Sequence, residues 1–145
     1  MANLRYGIIG IGSMGRHHVR NIRELPGVDL VAMADPAGDK FGVSKGMEVL
    51  PNIDALIAQG LDACVVAVPT VFHEETALKL AEAGVHTMVE KPLSTDAESG
   101  ERIVKAFADA SLIGAVGYVE RCNPCLLYTS TSPRDATLFR MPASA

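Results

Sequence analysis

Three glycines near the start of the chain have the spacing of a phosphate-binding turn. They occur in Gly10-Ile11-Gly12-Ser13-Met14-Gly15, the pattern G-x-G-x-x-G, which follows an apolar run and opens a helical one. In this setting the first glycine permits a tight turn, the second lets the backbone approach a pyrophosphate, and the third lets the helix pack close to the strand. Free amides and the positive end of the helix then attract phosphate. The alternative interpretation is a glycine-rich turn that binds nothing.

An acidic residue follows at the distance expected of a ribose ligand. Asp35 ends the second apolar run, 20 residues after Gly15. A carboxylate there accepts hydrogen bonds from the adenosine ribose hydroxyls and repels a 2′-phosphate, which favours NAD over NADP. Asp35 also precedes Pro36, so it can simply start a turn. Arg16 and His17, beside the glycines, leave NADP open.

Two further segments end apolar runs with polar residues. Pro69-Thr70 follows Ala63–Val68, and Glu90-Lys91-Pro92 follows Val85–Val89. Open α/β sheets bind ligands at the carboxyl edge of their strands, so these residues belong to the same edge as the glycine turn. Thr70 is expected to contact ribose or pyrophosphate, to cap the next helix, or both. The ammonium of Lys91 can hydrogen-bond a substrate hydroxyl or carbonyl, although lysine before a turn is also common at a plain surface.

Strand and helix patterns alternate along the chain and must place these residues. The apolar runs predict six strands over 4–10, 28–35, 47–50, 63–68, 85–89 and 112–117, and helical spacing predicts helices over 13–23, 52–59, 72–83 and 96–110. Thr95-Asp96-Ala97-Glu98 has the spacing of a capping box. Nearly continuous apolar strands indicate a parallel sheet covered on both faces. The sequence therefore predicts a Rossmann-type doubly wound α/β fold with three layers, αβα.

Composition excludes several other classes of protein. The chain has 145 residues, 48% of them hydrophobic, and its scattered charges give a net charge of −4. There is no basic stripe for nucleic acid, no apolar run of about 18 residues for a membrane, and no signal peptide, so a cytoplasmic protein is expected. No metal site is expected either, since His73 and His86 have no ligands at metal spacing and suit structural roles. Cys64 lies in an apolar run and is predicted to be buried.

These residues together resemble the family of glucose–fructose oxidoreductase, inositol 2-dehydrogenase and MocA. The matching pieces are Gly7–Gly15, Ala34-Asp35, Val68-Pro69-Thr70 with His73, Glu90-Lys91-Pro92, and Val116–Pro124. The glycine pattern is shared by many Rossmann proteins, whereas Glu-Lys-Pro at this distance is much more specific. The final piece looks most like UDP-N-acetylhexosamine 3-dehydrogenases. Relatives often carry histidine at Tyr118 and an aromatic residue at Cys122, which puts a nicotinamide contact from Tyr118 in doubt.

The resemblance implies reversible hydride transfer between a nicotinamide cofactor and a carbinol of a sugar, polyol or nucleotide-sugar. Lys91 takes the place of the family's catalytic lysine. The expected cofactor-binding residues are Gly10, Ile11, Gly12, Ser13, Met14, Gly15, Asp35, Pro69, Thr70, His73, Glu90 and Lys91. NAD is the expected cofactor, with NADP possible, and the full-length parent is expected to be a homo-oligomer with neither nucleic acid nor membrane as partner.

The end of the chain breaks the alternating pattern. Residues 125–145, which begin Cys125-Leu126-Leu127-Tyr128, resemble a translated sequencing adapter. We therefore expect residues 1–124 to be the Rossmann NAD(P)-binding domain of an enzyme whose substrate domain is absent, and 125–145 to be no domain. The fragment alone is expected to be inactive, and the C-x-x-C spacing of Cys122 and Cys125 is discarded. Two alternatives stay open: a non-catalytic NAD-binding or sensing module, and a Rossmann reductase of the dihydrodipicolinate or homoserine type, against which Glu90-Lys91-Pro92 argues.

Overall fold

The apolar runs form the strands of a parallel sheet. The computed structural model describes residues 2–119. Its elements are β1 (Leu4–Ile9), α1 (Gly15–Glu24), β2 (Val28–Ala34), β3 (Val49–Leu50), α2 (Ile53–Ile57), β4 (Ala63–Val66), α3 (His73–Glu82), β5 (His86–Glu90), α4 (Ala97–Asp109) and β6 (Gly114–Gly117). A short 3₁₀ turn, Thr70–Phe72, leads into α3. The predicted six strands and four helices are confirmed, with shorter ends than expected for most of them.

The strand order determines where the sheet opens a crevice of the kind that binds ligands. The order is β3-β2-β1-β4-β5-β6, and each neighbouring pair is parallel. The chain moves outward from β1 to β3, then returns to the other side of β1 and continues from β4 to β6. Because the direction reverses between β1 and β4, the connections that leave these strands diverge and open a crevice at their carboxyl ends. The doubly wound topology is therefore confirmed.

Two separate apolar cores lie on the two faces of the sheet. One contains Ile8, Met33 and Val65 from the strands together with Val19 and Ile22 of α1. The other is built from alternate strand positions and the buried faces of α2, α3 and α4, and its members include Ile9, Ala34, Cys64, Val66, Leu56, Leu80 and Phe107. Successive strand residues point to opposite faces, so each apolar run fills both cores. This arrangement gives the three layers that were predicted.

The connection between β2 and β3 contains no helix. Residues 35–48 follow a series of turns between the two strands. Asp39 organises this loop because its carboxylate accepts hydrogen bonds from the amides of Phe41, Val43 and Ser44. Those bonds, led by the one from Ser44, lower the pKa of Asp39 to about 2. Arg23 of α1 donates to carbonyls of the same loop and ties it to the helix.

The predicted capping box before α4 is wrong in one detail. The N-cap is Asp96, whose carboxylate accepts from the amide of Ser99 at 2.8 Å. Thr95 instead donates its hydroxyl to Asp96 at 3.0 Å. Asp96 has the extended backbone that an N-cap needs, and a carboxylate there also interacts favourably with the helix dipole. The helix therefore starts one residue later than a box built on Thr95 requires.

Two expectations concern parts of the chain beyond the fold itself. Residues 120–145 lie outside the described residues, so the domain limit at 124 and the adapter-derived tail remain predictions. Within residues 2–119, no helix is both long and apolar enough to cross a membrane.

Candidate functional site

The glycines of the first turn have three different surroundings. Gly10 has a φ of +84°, and a Cβ built on it would lie 2.5 Å from the carbonyl oxygen of Ala67. A Cβ on Gly15 would lie 1.8 Å from the carbonyl oxygen of Gly10, whereas a Cβ on Gly12 would meet nothing within 4 Å. Gly10 and Gly15 are thus required for the turn and for the approach of α1. Gly12 faces open space, which is the position where backbone can approach a ligand.

The start of α1 presents the turn to the crevice. The N-cap position is held by Met14, which makes no side-chain cap. In α2 and α4, by contrast, Asn52 and Asp96 cap the helix with their side chains. An α1 N-terminus without a side-chain cap leaves its positive end available to a phosphate next to Gly12.

Asp35 joins the end of β2 to the glycine turn. One carboxylate oxygen accepts from the amide of Ile11 at 3.0 Å, and the other accepts from the amide of Ala37 at 2.8 Å. Each carboxylate oxygen can accept more than one hydrogen bond, so both remain able to bind a hydroxyl. The position that was predicted to bind ribose is therefore held next to the predicted phosphate turn. The turn-forming alternative also holds, because the bond to Ala37 spans two residues.

Arg16 of α1 packs against Phe41 of the β2–β3 loop. The guanidinium carbon of Arg16 is 4.7 Å from the centre of the Phe41 ring, a cation–π contact. With Arg23 and Lys45 they line a cavity of about 600 Å³ between α1 and the loop. This surface lies on the side of the glycine turn away from β4.

Pro69 and Thr70 follow β4 at the crevice. Thr70 begins the 3₁₀ turn, and α3 begins at His73 with Phe72 in the N-cap position and no side-chain cap. The alternative in which Thr70 caps the helix with its side chain is therefore wrong. Its partly exposed side chain is left at the carboxyl edge of the sheet.

His73 and Glu90 are placed inside the protein. His73 is 1% exposed, and its ring nitrogens lie 2.9 Å from the carbonyl oxygens of Val68 and Pro92. Glu90 is 4% exposed, and its carboxylate is 2.6 Å from Nε2 of His18. The polar atoms of both residues have protein partners, and the cofactor contacts expected of them stay a prediction. Lys91, next to Glu90, is exposed at the end of β5.

His18 was missed by the sequence analysis. It lies on the face of α1 that buries Gly15, Val19 and Ile22, and it is the polar member of that face. A histidine within an apolar helical stripe is a detectable signal, because it needs a buried partner. The partner, Glu90, is 72 positions later and is brought to it only by the fold.

Other titratable groups lie away from this edge. His86 starts β5 at the opposite end of the sheet and accepts from the amide of Ile113. Cys64 is buried in β4 as predicted, and burial raises its pKa to about 12, which makes it an inert thiol. In residues 2–119 there is no group of three side chains arranged to hold a metal ion.

Comparison with known proteins gives this geometry a family. A family model described as an oxidoreductase family with an NAD-binding Rossmann fold matches residues 4–118. The chain belongs to this family. It is the family of glucose–fructose oxidoreductase, inositol 2-dehydrogenase and MocA that the sequence resembled.

Two curated relatives of this chain are dehydrogenases of greater length. UDP-N-acetylglucosamine 3-dehydrogenase of Acidithiobacillus ferrooxidans is 31% identical over 131 residues, which are 88% of this chain and 41% of the relative. Its solved structure superposes with a TM-score of 0.79 at 29% identity, covering 89% of this chain and 43% of the other. Inositol 2-dehydrogenase of Corynebacterium glutamicum (strain R) is 35% identical over 109 residues, 71% of this chain and 32% of the relative. The chain thus spans about two fifths or less of these relatives.

A solved relative contains the cofactor. GenD2 from gentamicin A biosynthesis, in complex with NAD, superposes with a TM-score of 0.73 at 27% identity, covering 81% of this chain and 35% of GenD2. The matched region in all three relatives is the NAD-binding part of a longer enzyme.

Proposed function

We propose that this chain is the NAD-binding part of a dehydrogenase that acts on a carbinol of a sugar, polyol or nucleotide-sugar. The observation that carries the proposal is the joint geometry of the glycine turn and Asp35. Gly12 opens onto free space, and the Asp35 carboxylate is held beside it by the amide of Ile11. A diphosphate next to a ribose is the chemistry that this pair of features recognises.

The turn supplies the phosphate site. The backbone amides from Gly12 to Gly15 approach the pyrophosphate, and the N-terminus of α1 contributes its positive end, while the amides of Gly10 and Ile11 bind Ala34 and Asp35. Asp35 accepts hydrogen bonds from the ribose hydroxyls, and its charge disfavours a 2′-phosphate. Pro69 and Thr70 line the crevice at the end of β4, and the Thr70 hydroxyl binds ribose or pyrophosphate.

The reacting end of the site lies at β5. When bound, the nicotinamide accepts or donates the hydride. Lys91 is exposed at the carboxyl end of β5, where its ammonium can bind the reacting oxygen and assist transfer of its proton. Glu90 and His73 support this segment from inside, which is an indirect contribution to cofactor binding.

The substrate class is taken from the relatives. Three of the relatives are named for UDP-N-acetylglucosamine and for inositols. All of these substrates carry secondary alcohols that a nicotinamide can oxidise. In the relatives most of the length lies outside the matched part, so we expect substrate binding to need residues beyond this domain.

Calorimetric titration tests the cofactor proposal on the chain itself. NAD is expected to bind more tightly than NADP, and Asp35→Ala is expected to lower NAD affinity by roughly tenfold, or about 1.4 kcal/mol, for loss of charge-assisted hydrogen bonds. Asp35→Ala should also narrow the preference for NAD over NADP. Asp29→Ala, an exposed aspartate in β2, is the matched control and should bind as the unmodified chain does. Equal and unchanged affinity for both coenzymes would remove Asp35 from the ribose site.

Gene sequence distinguishes the enzyme from a binding module. Reading the locus past codon 124 is expected to show a downstream substrate domain. A native stop codon immediately after codon 124 would favour a non-catalytic NAD-binding protein instead.

A further inference from the structure

A buried polar pair connects α1 to β5 beneath the candidate site. The side chain of His18 is 12% exposed and that of Glu90 is 6% exposed, and Nε2 of His18 lies 2.6 Å from Oε1 of Glu90. These two side chains are the link between the helix that begins at the glycine turn and the strand that ends at Lys91.

The carboxylate of Glu90 is held in one orientation. Its second oxygen accepts from the amide of Lys91 at 3.2 Å. On the β6 side, a Cβ added to Gly117 would lie only 3.1 Å from Oε1, so the absence of a side chain at Gly117 leaves the room that the carboxylate occupies. Glu90 is thereby confined between α1, β6 and the backbone of Lys91.

His73 holds the other side of Lys91. Its Nδ1 lies 2.9 Å from the carbonyl oxygen of Pro92, and its Nε2 lies 2.9 Å from that of Val68. The imidazole therefore joins the segment after β4 to the segment after β5. The backbone of Lys91 is fixed on one side through Glu90 and on the other through His73.

We propose that His18 is a positioning residue for Lys91 and acts through Glu90. The inference rests on the proposed function, in which Lys91 serves the reacting end of the site. A buried polar pair, charged or not, is weak evidence of stabilisation, because apolar pairs of similar volume are often equally stable or more so. An apolar pair at these two positions could not accept a hydrogen bond from the amide of Lys91, as the Glu90 carboxylate does. The His18–Glu90 pair therefore fixes the orientation of the backbone at Lys91 relative to α1, the helix whose N-terminus binds the phosphates in the proposed site.

Amide NMR spectra of the chain, recorded at saturating NADH or ADP-ribose, test the proposal. ADP-ribose lacks the nicotinamide, so both ligands should shift the amide of Gly12 and only NADH should shift that of Lys91. In His18→Leu the NADH-induced shift of Lys91 should fall to the level seen with ADP-ribose, while the shift of Gly12 persists. A role confined to folding would change both signals or neither.

Matched variants sharpen the result. His18→Gln retains an N–H donor near the position of Nε2 and should restore the Lys91 response. Gly117→Ala disturbs Glu90 without touching His18 and should weaken that response, which keeps the test usable if His18→Leu does not fold. Asn21→Leu, on the exposed face of α1, should behave as the unmodified chain.

The outcomes separate the two proposals. If neither ligand shifts Gly12, the proposed function fails and the inference falls with it. If Gly12 responds while the amide of Lys91 does not shift with NADH in the unmodified chain, the inference is overturned together with the role of Lys91, and the proposed binding of the dinucleotide stands. The inference is overturned equally if Lys91 responds to NADH in the same way in His18→Leu and Gly117→Ala as in the unmodified chain.

Discussion

The turn after β1 and the segment after β5 are built by different means. Around Gly10–Gly15 the structure is set by backbone: one glycine with positive φ, one against a carbonyl, and one facing open space. Around Lys91 it is set by buried side chains from distant elements, His18 on α1 and His73 at the start of α3. A local sequence pattern describes most of the first region, whereas the second depends mainly on side-chain contacts between distant elements.

This difference indicates a division of work between the two regions. Backbone amides and one carboxylate suit a ligand part that is the same in every dinucleotide enzyme. An exposed lysine on a side-chain-supported segment suits the part that must be aimed at a particular reacting atom. Affinity should therefore depend mainly on the first region, and orientation on the second.

The largest expected effect breaks the backbone-built region. Gly15→Ala places a methyl group 1.8 Å from the carbonyl oxygen of Gly10, so α1 must move away from β1. We expect a loss of about 3 kcal/mol or more in the free energy of unfolding, measured by urea denaturation. Gly12→Ala, which meets nothing within 4 Å, should stay within about 1 kcal/mol of the unmodified chain and yet lose NAD affinity. Equal stability of the two variants would contradict the assignment of different roles to these glycines.

The next effect breaks the side-chain-built region. His73→Leu leaves the carbonyls of Val68 and Pro92 without their imidazole partner inside the protein. Loss of the imidazole leaves at least one of these part-buried carbonyls without a donor, so a loss of about 1–3 kcal/mol is expected in thermal or urea unfolding. His86→Leu, at the far end of β5, is the comparison and should lose less than about 1 kcal/mol. A smaller loss in His73→Leu than in His86→Leu would show that the two segments are not joined through His73.

A pair of binding variants sharpens the division between affinity and orientation. Asp35→Ala is expected to lose NAD affinity by roughly tenfold, and Lys91→Met should change it by less than about twofold. The reason is that in the proposed site Asp35 contacts ribose directly, while Lys91 faces the reacting group. Calorimetry on both variants measures the ratio. If Lys91→Met lost as much NAD affinity as Asp35→Ala, the proposed division between a region for affinity and a region for orientation would be contradicted.

The smallest effect concerns the loop beside the first region. The pKa of Asp39 is lowered to about 2 by amides of its own loop, so the folded state favours the carboxylate. Its contribution to stability is fully present above about pH 4, the range of the unfolded group, and is lost as the pH falls toward about 2. Asp39→Asn should make the melting temperature less dependent on pH in that window. If the melting temperature depended on pH in the same way in Asp39→Asn and in the unmodified chain, the Asp39 carboxylate would not contribute to the stability of this loop.

Much of this structure follows from local sequence, and the exceptions have specific causes. The glycine spacing and Asp35 predict the first turn for two reasons. The glycines act within a few residues of one another, and the hydrogen bond between Ile11 and Asp35 joins the ends of two neighbouring strands at a sequence separation known from such folds. The strand predicted over 63–68 ends at Val66 because the next residues turn into the crevice, where the Val68 carbonyl binds His73. Apolar composition alone does not distinguish a strand end from the turn that follows it.

The supporting side chains of the second region show the limit more clearly. His73 and Glu90 are recognised from family resemblance, but their partners are a proline carbonyl and a histidine that lie 19 and 72 positions away. Whether a polar side chain faces a ligand or the protein interior depends on strand order and helix placement. The resemblance therefore identified the residues, whereas their protein partners follow only from the fold, and the cofactor contacts expected of them stay a prediction.

Cys64 lies in a central strand of the sheet, 1% exposed, with a pKa raised to about 12. A thiol in this state reacts with an alkylating reagent only after β4 has separated from its neighbours. The extent of alkylation at that cysteine, followed by peptide mass spectrometry, would therefore report how often the whole sheet opens. Comparing the alkylation rate of Cys64 between the unmodified chain and each variant above would therefore show how each substitution changes the frequency of cooperative unfolding.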